Sequence, residues 1–315
     1  MSRGAADSAE AGRMPLIPPR LRRGGCIGIA SPSHLASRED YGPIIAAIEA
    51  KGFRIKTGAN LYAADYGYSA TEKERAADFN QLVADPEVEL VFFGGGDGGN
   101  ELLPYVDFKS VAAHPKLYLS YSDGTTLLES IYTRCGIAVY YGQMPGLFSG
   151  ISDYNYEQFE SWMLQGRVRE HRPNSPWHCL SRGTGSAVSG TLIGGYLENL
   201  LLLMSIGGFQ VDPGRRCILF LEDHERFSSI EKLSALLAWL DETPFMDQVE
   251  GILFGNYSDT LKTALLDCLG RLGERRHIPV AYCDDFGHGA NHAILPIGLP
   301  AVFDAGAGRL SYPQS

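Results

Sequence analysis

The chain has 315 residues, of which 44% are hydrophobic and 20% are charged, and its formal net charge is −10. The length predicts two cores, and the acidic balance argues against nucleic acid as a partner, because nucleic-acid binding needs a basic surface. The sequence has no apolar run long enough for a membrane span, and its N-terminus is polar where a signal peptide is apolar, so we expect no membrane partner and a cytoplasmic location.

The first half of the chain predicts a parallel sheet. Residues 1–14 are small and polar and predict a disordered lead, after which strands and helices alternate. The predicted strands are residues 26–30, 53–57, 88–93 and 116–121, and the predicted helices are 41–51, 71–83, 101–105 and the segment after Ser122. This alternation is typical of a parallel sheet covered by helices on both faces, with a site at the carboxyl ends of the strands.

The pattern weakens between about residues 148 and 190, where proline and glycine interrupt a polar stretch. We therefore predict an N-terminal α/β domain over 15–165, a linker over 166–188 and a smaller mixed α/β domain over 189–315. The second domain has predicted strands at 191–195, 217–221, 249–254 and 279–282, and predicted helices at 197–204, 229–240 and 260–272.

Neither a metal nor another cofactor is predicted. The six cysteines are widely separated, with no Cys-x-x-Cys pair, which argues against both a zinc site and a disulfide framework. His288 and His292 have the spacing of a helical metal pair, but the surrounding glycines disfavour a helix. The glycine-rich run 94–99 fits neither the dinucleotide nor the Walker spacing, which argues against a phosphate loop.

Ser122 is the candidate nucleophile. It lies between the predicted strand 116–121 and an amphipathic helix, so its hydroxyl is exposed on a sharp turn beside a helix N-terminus. The alternative is a serine that only caps the helix. A serine hydroxyl needs a base, and usually a carboxylate that orients the base, so the interpretation depends on partners elsewhere in the chain.

Two later segments offer these partners. Glu222 and Asp223 follow an apolar strand, and His288 lies in a glycine-flanked loop. The alternatives are an acidic strand end that is only solvated and a loop histidine that is only exposed. The order serine, glutamate, histidine across two domains predicts a site at the domain interface.

Ordered motifs along residues 15–312 resemble the LD-carboxypeptidases, a family of serine peptidases that includes murein tetrapeptide carboxypeptidases and microcin C immunity peptidases. The segments that carry the resemblance are 18–21, 28–33, 74–75, 78–80, 85–86, 95–96, 102–107, 115–116, 121–123, 219–223, 286–288 and 295–298. The resemblance implies a flavodoxin-like N-terminal domain, a C-terminal domain that supplies acid and base, no metal, and a homodimer.

The resemblance also implies a role for each motif residue. Ser122 is implied as the nucleophile, His288 as the general base and Glu222 as the carboxylate that orients it. An oxyanion hole is implied at the backbone N–H of Asp123 together with one N–H of Gly95 or Gly96.

The chain departs from the family pattern at the edge of the pocket. Gly94 and Asp97 stand where the family commonly has Arg and Tyr around the paired glycines. Asp97 and Tyr121 are therefore predicted substrate contacts, and the carboxylate of Asp97 favours a substrate amine or guanidinium. The alternative is that Asp97 only caps the following helix. Trp177 has two interpretations, as a stacking surface for substrate and as a packing residue.

The leading functional hypothesis is a serine hydrolase that cleaves an amide next to a D-configured or otherwise unusual residue through an acyl-enzyme. The substrate is then a peptide or a peptide-like small molecule. A variant of this hypothesis is detoxification of a peptidyl antibiotic, or tailoring of a peptide-like natural product by acyl transfer to an amine. The alternative from another class is a binding protein that keeps the fold without catalysis, which has no need for all three of Ser122, Glu222 and His288.

Overall fold

The computed structural model describes residues 14–33, 36–66, 69–166, 168–185 and 187–313, so residues 1–13 of the predicted disordered lead lie outside the described residues. The strands in chain order are β1 (Cys26–Ala30), β2 (Arg54–Thr57), β3 (Val88–Phe93), β4 (Leu117–Ser120), β5 (Val139–Tyr141), β6 (His178–Arg182), β7 (Val188–Tyr196), β8 (Cys217–Glu222), β9 (Val249–Asn256), β10 (Pro279–Gly287), β11 (Leu295–Ile297), β12 (Pro300–Asp304) and β13 (Arg309–Ser311).

The α-helices are α1 (Arg38–Ala50), α2 (Glu72–Ala84), α3 (Phe108–Ala113), α4 (Thr125–Cys135), α5 (Asp153–Phe159), α6 (Leu197–Ser205), α7 (Ile230–Asp241) and α8 (Thr263–Arg276). Thr71 begins α2 with a capping box, in which its hydroxyl accepts from the Glu74 N–H and the Glu74 carboxylate accepts from the Thr71 N–H. Within the described residues, no helix is long and apolar enough to cross a membrane.

The first sheet has the strand order β11-β5-β4-β3-β1-β2, in which β1 to β5 are parallel and β11 pairs antiparallel with β5. The order 2-1-3-4-5 is that of flavodoxin-like folds, as the resemblance implied. Strand order reverses between β1 and β3, and β4 follows next to β3. The loops after β1, β3 and β4 therefore meet at one edge, where ligands bind in such sheets.

The second sheet has the order β13-β12-β7-β8-β9-β10-β6. The four central strands β7, β8, β9 and β10 are parallel. At the edges, β6 pairs antiparallel with β10, β12 pairs antiparallel with β7, and β13 pairs antiparallel with β12. The mixed α/β class of the second half is thus confirmed. β6 was not predicted, because its five residues are only partly buried and carry little apolar pattern.

Buried polar contacts join α4 of the first half to β7 of the second. The Gly194 N–H donates to Glu129 Oε1 at 2.9 Å, and the Tyr196 N–H donates to Thr125 Oγ1 at 2.9 Å. Gly195 adopts φ +149°, and a Cβ there would lie 2.4 Å from Thr125 Oγ1, so the close approach of α4 requires glycine. These contacts of α4 with Gly194, Gly195 and Tyr196 form the seam between the two sheets. Since α4 begins three residues after Ser122, this seam fixes the turn that carries Ser122 against the second sheet.

Candidate active site

Ser122 lies on a strained turn between β4 and α4, as the sequence predicts. Its φ is +56°, a left-handed conformation that costs a non-glycine residue about 1 kcal/mol or more. A 3₁₀ turn, Ser122–Gly124, then leads directly into α4. The Ser122 N–H donates to Tyr141 Oη at 2.9 Å. The same strained strand-to-helix turn exposes the nucleophile in other serine hydrolases.

Gly95 and Gly96, in the loop after β3, lie beside Ser122. A Cβ on Gly95 would lie 2.8 Å from Ser122 Cβ and 3.3 Å from Ser122 Oγ, so only glycine lets this backbone approach the hydroxyl. Gly96 is exposed and adopts φ +130°, which L side chains rarely take. The structure thus brings the backbone of Gly95 against the turn that carries Ser122 and Asp123. The family resemblance implies these residues, with Gly96 as the alternative glycine, as an oxyanion hole.

Asp123 and Arg75 hold this loop in place. The buried Asp123 carboxylate accepts from the Gly99 N–H at 2.7 Å and from Asn199 Nδ2 at 2.5 Å, which ties the loop to α6. Burial raises the pKa of the Asp123 carboxyl, although both of these hydrogen bonds oppose the rise. The buried guanidinium of Arg75 donates to the backbone carbonyls of Ala70, Pro32 and Gly98.

Glu222 and His288 come from the second sheet and bond directly to each other. Glu222 ends β8 and is fully buried, and its Oε2 lies 2.7 Å from His288 Nδ1 in the loop after β10. Tyr141, at the end of β5, donates from Oη to the other carboxylate oxygen, Oε1. Tyr141 therefore connects the Ser122 backbone N–H to the carboxylate that holds His288 Nδ1.

The charge of Glu222 changes the titration of both of its partners. Burial by itself lowers the pKa of His288, but the carboxylate of Glu222 outweighs burial, and the net pKa lies above its ordinary value. For Tyr141, burial and then the charge of Glu222 raise the pKa well above its ordinary value. The phenol of Tyr141 thus stays protonated and donates, and the proton of neutral His288 is held on Nδ1, which leaves Nε2 as an acceptor.

Aromatic side chains surround His288. Its ring centroid lies 4.9 Å from that of Tyr121, 5.6 Å from that of Tyr196 and 5.3 Å from that of Phe227. The Tyr121 contact places the neighbour of Ser122 against the candidate base. Tyr196 Oη donates to Asp223 Oδ1 at 2.7 Å. Asp223, the second acidic residue of the predicted strand end, thus holds Tyr196 and does not bond to His288.

The structure also decides several alternatives. The short helix after Asp97 is a 3₁₀ helix, Gly99–Tyr105. Its N-cap is Gly98 and has no side-chain hydrogen bond, so Asp97 does not cap it. The side chain of Asp97 is exposed. Trp177 donates from Nε1 to Asp285 Oδ2 at 2.8 Å and is partly buried, which fits a packing role. His292 Nδ1 bonds to the Gly142 carbonyl at 3.1 Å. Residues 288–292 do not form a helix, so the spacing of His288 and His292 does not place them on one helical face.

Sequence reasoning missed Tyr141, Tyr196 and Asn199 as members of the site. Tyr141 ends a strand of only three residues, too short for a clear pattern, although it lies at the predicted working edge of the sheet. Tyr196 and Asn199, at the start of α6, lie in no motif that marks them as site residues. Their roles depend on how α6 packs against Asp123, which no local signal reveals.

A serine at a strained turn after a parallel strand, with an imidazole bonded to a buried carboxylate nearby, is typical of hydrolases that use a serine nucleophile. Sequence comparison then shows the family. The chain belongs to the LD-carboxypeptidase family, since the family model of the N-terminal domain matches residues 27–142 and that of the C-terminal domain matches residues 189–303.

Individual relatives agree with this membership. The chain is 29% identical to the microcin C7 self-immunity protein MccF of Escherichia coli, over 92% of this chain and 93% of that protein. It is 29% identical to a probable murein peptide carboxypeptidase of Bacillus subtilis over 65% of this chain and 64% of that protein. The structure of MccF in its apo state matches with a TM-score of 0.85 and 26% identity, over 96% of this chain and 99% of that chain. MccF structures also hold glutamyl sulfamoyl guanosine and aspartyl sulfamoyl adenosine.

Proposed function

We propose that Ser122 is the nucleophile of an amide hydrolase, with His288 as general base and Glu222 as the carboxylate that orients it. The observation that carries this proposal is the 2.7 Å contact between Glu222 Oε2 and His288 Nδ1, which leaves His288 Nε2 for the proton of Ser122. A carboxylate in that position also stabilises the imidazolium that forms when Ser122 attacks the acyl carbon.

The geometry around Ser122 supports an oxyanion hole at the backbone N–H of Asp123 and of Gly95 or Gly96. The Ser122 N–H itself is bound to Tyr141 Oη, so it is not available for a substrate oxygen. Because Gly95 closely approaches Ser122 Oγ, a backbone N–H of the loop that carries Gly95 and Gly96 is near the reacting carbonyl. Such donors act on charge that exists only in the tetrahedral intermediate, and each contributes about 3 kcal/mol to lowering the barrier.

The reaction then runs through an acyl-enzyme. Ser122 Oγ attacks the amide carbonyl while His288 takes its proton, and His288 returns that proton to the leaving amine as the carbon–nitrogen bond breaks. A water molecule, activated by the same imidazole, releases the acyl group. An amine in place of water gives a new amide, which is the acyl-transfer variant of the function.

The proposed substrate is a peptide or peptide-like small molecule, cleaved at an amide next to a D-configured or otherwise unusual residue. The name of the Bacillus subtilis relative supports a murein peptide. The aminoacyl sulfamoyl nucleosides bound to MccF support the second candidate, cleavage of a peptidyl antibiotic or a related natural product. Tyr121 is a proposed substrate contact because its ring lies against His288, and the exposed Asp97 favours a positively charged substrate group.

We also propose that the enzyme works as a homodimer in the cytoplasm. The family resemblance supports the dimer, and the six free cysteines fit a compartment that keeps thiols reduced. Sedimentation velocity tests the first point, and a purely monomeric species at micromolar concentration would contradict it. Fractionation of the native host tests the second.

Fluorophosphonate labelling tests the nucleophile. We expect wild type to be labelled on Ser122, and Ser122→Ala to lose the label while it keeps its melting temperature. Ser205→Ala is the matched control, because Ser205 lies on the exposed end of α6 and bonds only locally to the Leu202 carbonyl. Equal labelling of wild type and Ser122→Ala would contradict the proposal, and a wild type that takes no label would favour the binding-protein alternative.

A further inference from the structure

A second imidazole, His224, lies beside the candidate base. It follows β8 two residues after Glu222 and is only 2% exposed. Its ring centroid lies 5.8 Å from that of His288 and 6.3 Å from that of Phe227. The role of His224 is open, because the proposed reaction needs only one imidazole.

The backbone fixes the tautomer of His224. The Arg226 N–H can only donate, and it lies 3.2 Å from His224 Nδ1, so Nδ1 is an acceptor and the ring proton is on Nε2. Burial, and then the positive charges of His288 and Arg226, lower the pKa of His224. At neutral pH His224 is therefore an uncharged ring that presents one N–H donor from Nε2.

This donor has no protein partner. Within the described part of the chain, His224 Nε2 makes no hydrogen bond, although Nδ1 and both backbone groups of the residue do. His224 is 2% exposed, yet Nε2 is not among the fully enclosed polar atoms that lack a partner, so this N–H borders a space that solvent or a ligand can reach. A donor that borders such a space and has no protein partner is available to a substrate group.

The position of His224 indicates which part of a substrate it meets. The imidazole that takes the proton of Ser122 returns it to the leaving group, so the leaving group must lie next to His288. Side chains that contact the His288 ring from the loop after β8 therefore border the leaving group. His224 and the exposed Phe227 are two such side chains, and only His224 offers a hydrogen bond from its ring.

We infer that His224 is a specificity-determining residue that donates a hydrogen bond from Nε2 to an acceptor oxygen on the leaving group. The inference rests on the proposed function, because it takes His288 as the base. It assigns the substrate a leaving group that carries a carbonyl, carboxylate or similar oxygen. Because the leaving group has departed when the acyl-enzyme forms, His224 acts on acylation and has no part in deacylation.

Acetate esters test the inference without knowledge of the natural substrate. The probes are phenyl acetate, which lacks an acceptor on its leaving group, and the acetate esters of 2-, 3- and 4-hydroxybenzamide, which carry a neutral amide oxygen. All four form the same acetyl-enzyme, in which the bond from Ser122 Oγ to the acetyl carbon replaces the ester bond. The proton from Oγ leaves with the phenol. The measured quantities are the acetylation rate for each ester and the common deacetylation rate.

We expect His224→Phe to lower the rate ratio of at least one benzamide ester to phenyl acetate about 3- to 10-fold, the loss of one neutral hydrogen bond. His224→Gln, which keeps a donor, should restore part of the ratio, and deacetylation should not change. His114→Phe, at an exposed position on the end of α3, is the matched control and should leave every ratio unchanged.

Three outcomes would overturn the inference. Unchanged ratios for all three isomers in both His224 variants would show that His224 does not contact the leaving group. A fall in deacetylation equal to the fall in acetylation would show that it acts only through His288. A wild type whose Ser122 is never acetylated would remove the proposed function itself, which separates that failure from the other two.

Discussion

Replacing Glu129 with glutamine should make the stability of the protein less dependent on pH. Glu129 is fully buried in α4, one helical turn beyond the start of the helix, and its Oε1 accepts from the Gly194 N–H of β7 across the seam between the two sheets. Burial raises the pKa of Glu129 from its ordinary 4.5 to about 8, although the Gly194 hydrogen bond opposes the rise. The folded protein therefore holds this proton at neutral pH.

The sign and size of the effect follow from proton linkage. Between pH 4.5 and about 8 the unfolded chain has released the proton of Glu129 and the folded protein has kept it, so the unfolding free energy falls as the pH rises. The slope is about 1.4 kcal/mol per pH unit, which amounts to about 4 kcal/mol between pH 5 and 8. The stabilisation is fully present below the ordinary pKa and is lost once the pH passes the folded value.

Urea unfolding of wild type and Glu129→Gln at pH 5, 6, 7 and 8 measures this difference. The glutamine keeps an oxygen acceptor for the Gly194 N–H and replaces the carboxylic acid with a neutral amide. The contributions of all other titrating groups to the unfolding free energy are the same in both proteins and cancel in the comparison. We expect wild type to lose about 4 kcal/mol more than the variant across this range, and parallel pH profiles would refute the assignment of a neutral buried carboxyl.

Three further predictions concern the site. Tyr141→Phe should lower kcat about 10-fold or more with the fold retained, because Ser122 loses the acceptor for its N–H and Glu222 loses a donor; a kcat equal to that of wild type would show that this connection is unimportant. Asp97→Asn should reduce kcat/KM for cationic amide substrates more than for neutral ones, whereas an equal change across such a panel would contradict the role of the charge. The acid limb of the kcat/KM profile should lie above pH 6.5, because activity needs neutral His288 and the pKa of His288 is raised. Glu222→Gln should move that limb to lower pH. A limb that does not move in this variant would assign the titration to another group.

The strands and helices that were predicted in the first half have strong local signals. β1 is a continuous apolar run, β3 is apolar except for Glu89, and Thr71 with Glu74 gives α2 its capping box. Shorter elements were not predictable, since β5 and β11 have three residues each and β6 is half-exposed. The segment 101–105 was predicted as a helix, and the structure has a 3₁₀ helix there, with Pro104 inside it.

The pairing partner of β11 does not follow from its local sequence pattern. Its residues follow the loop of His288 in a part of the sequence assigned to the second domain, yet β11 pairs with β5 of the first sheet. The boundaries of the domains remain a prediction, but this strand carries the chain back across the seam directly after the candidate base. The pairing partner of such a strand is set by packing, because its sequence is compatible with either sheet.

The sequence by itself determined the residues of the candidate triad, the class of the fold and the family, because these depend on residue identity and on periodic patterns that local chemistry imposes. Only the tertiary structure decided which groups hold the triad. Tyr141 connects Ser122 to Glu222, Asn199 reaches Asp123 across the seam, and His224 lies with an unpaired donor beside the base. Each contact joins residues from different elements, and the packing of the two sheets places them together.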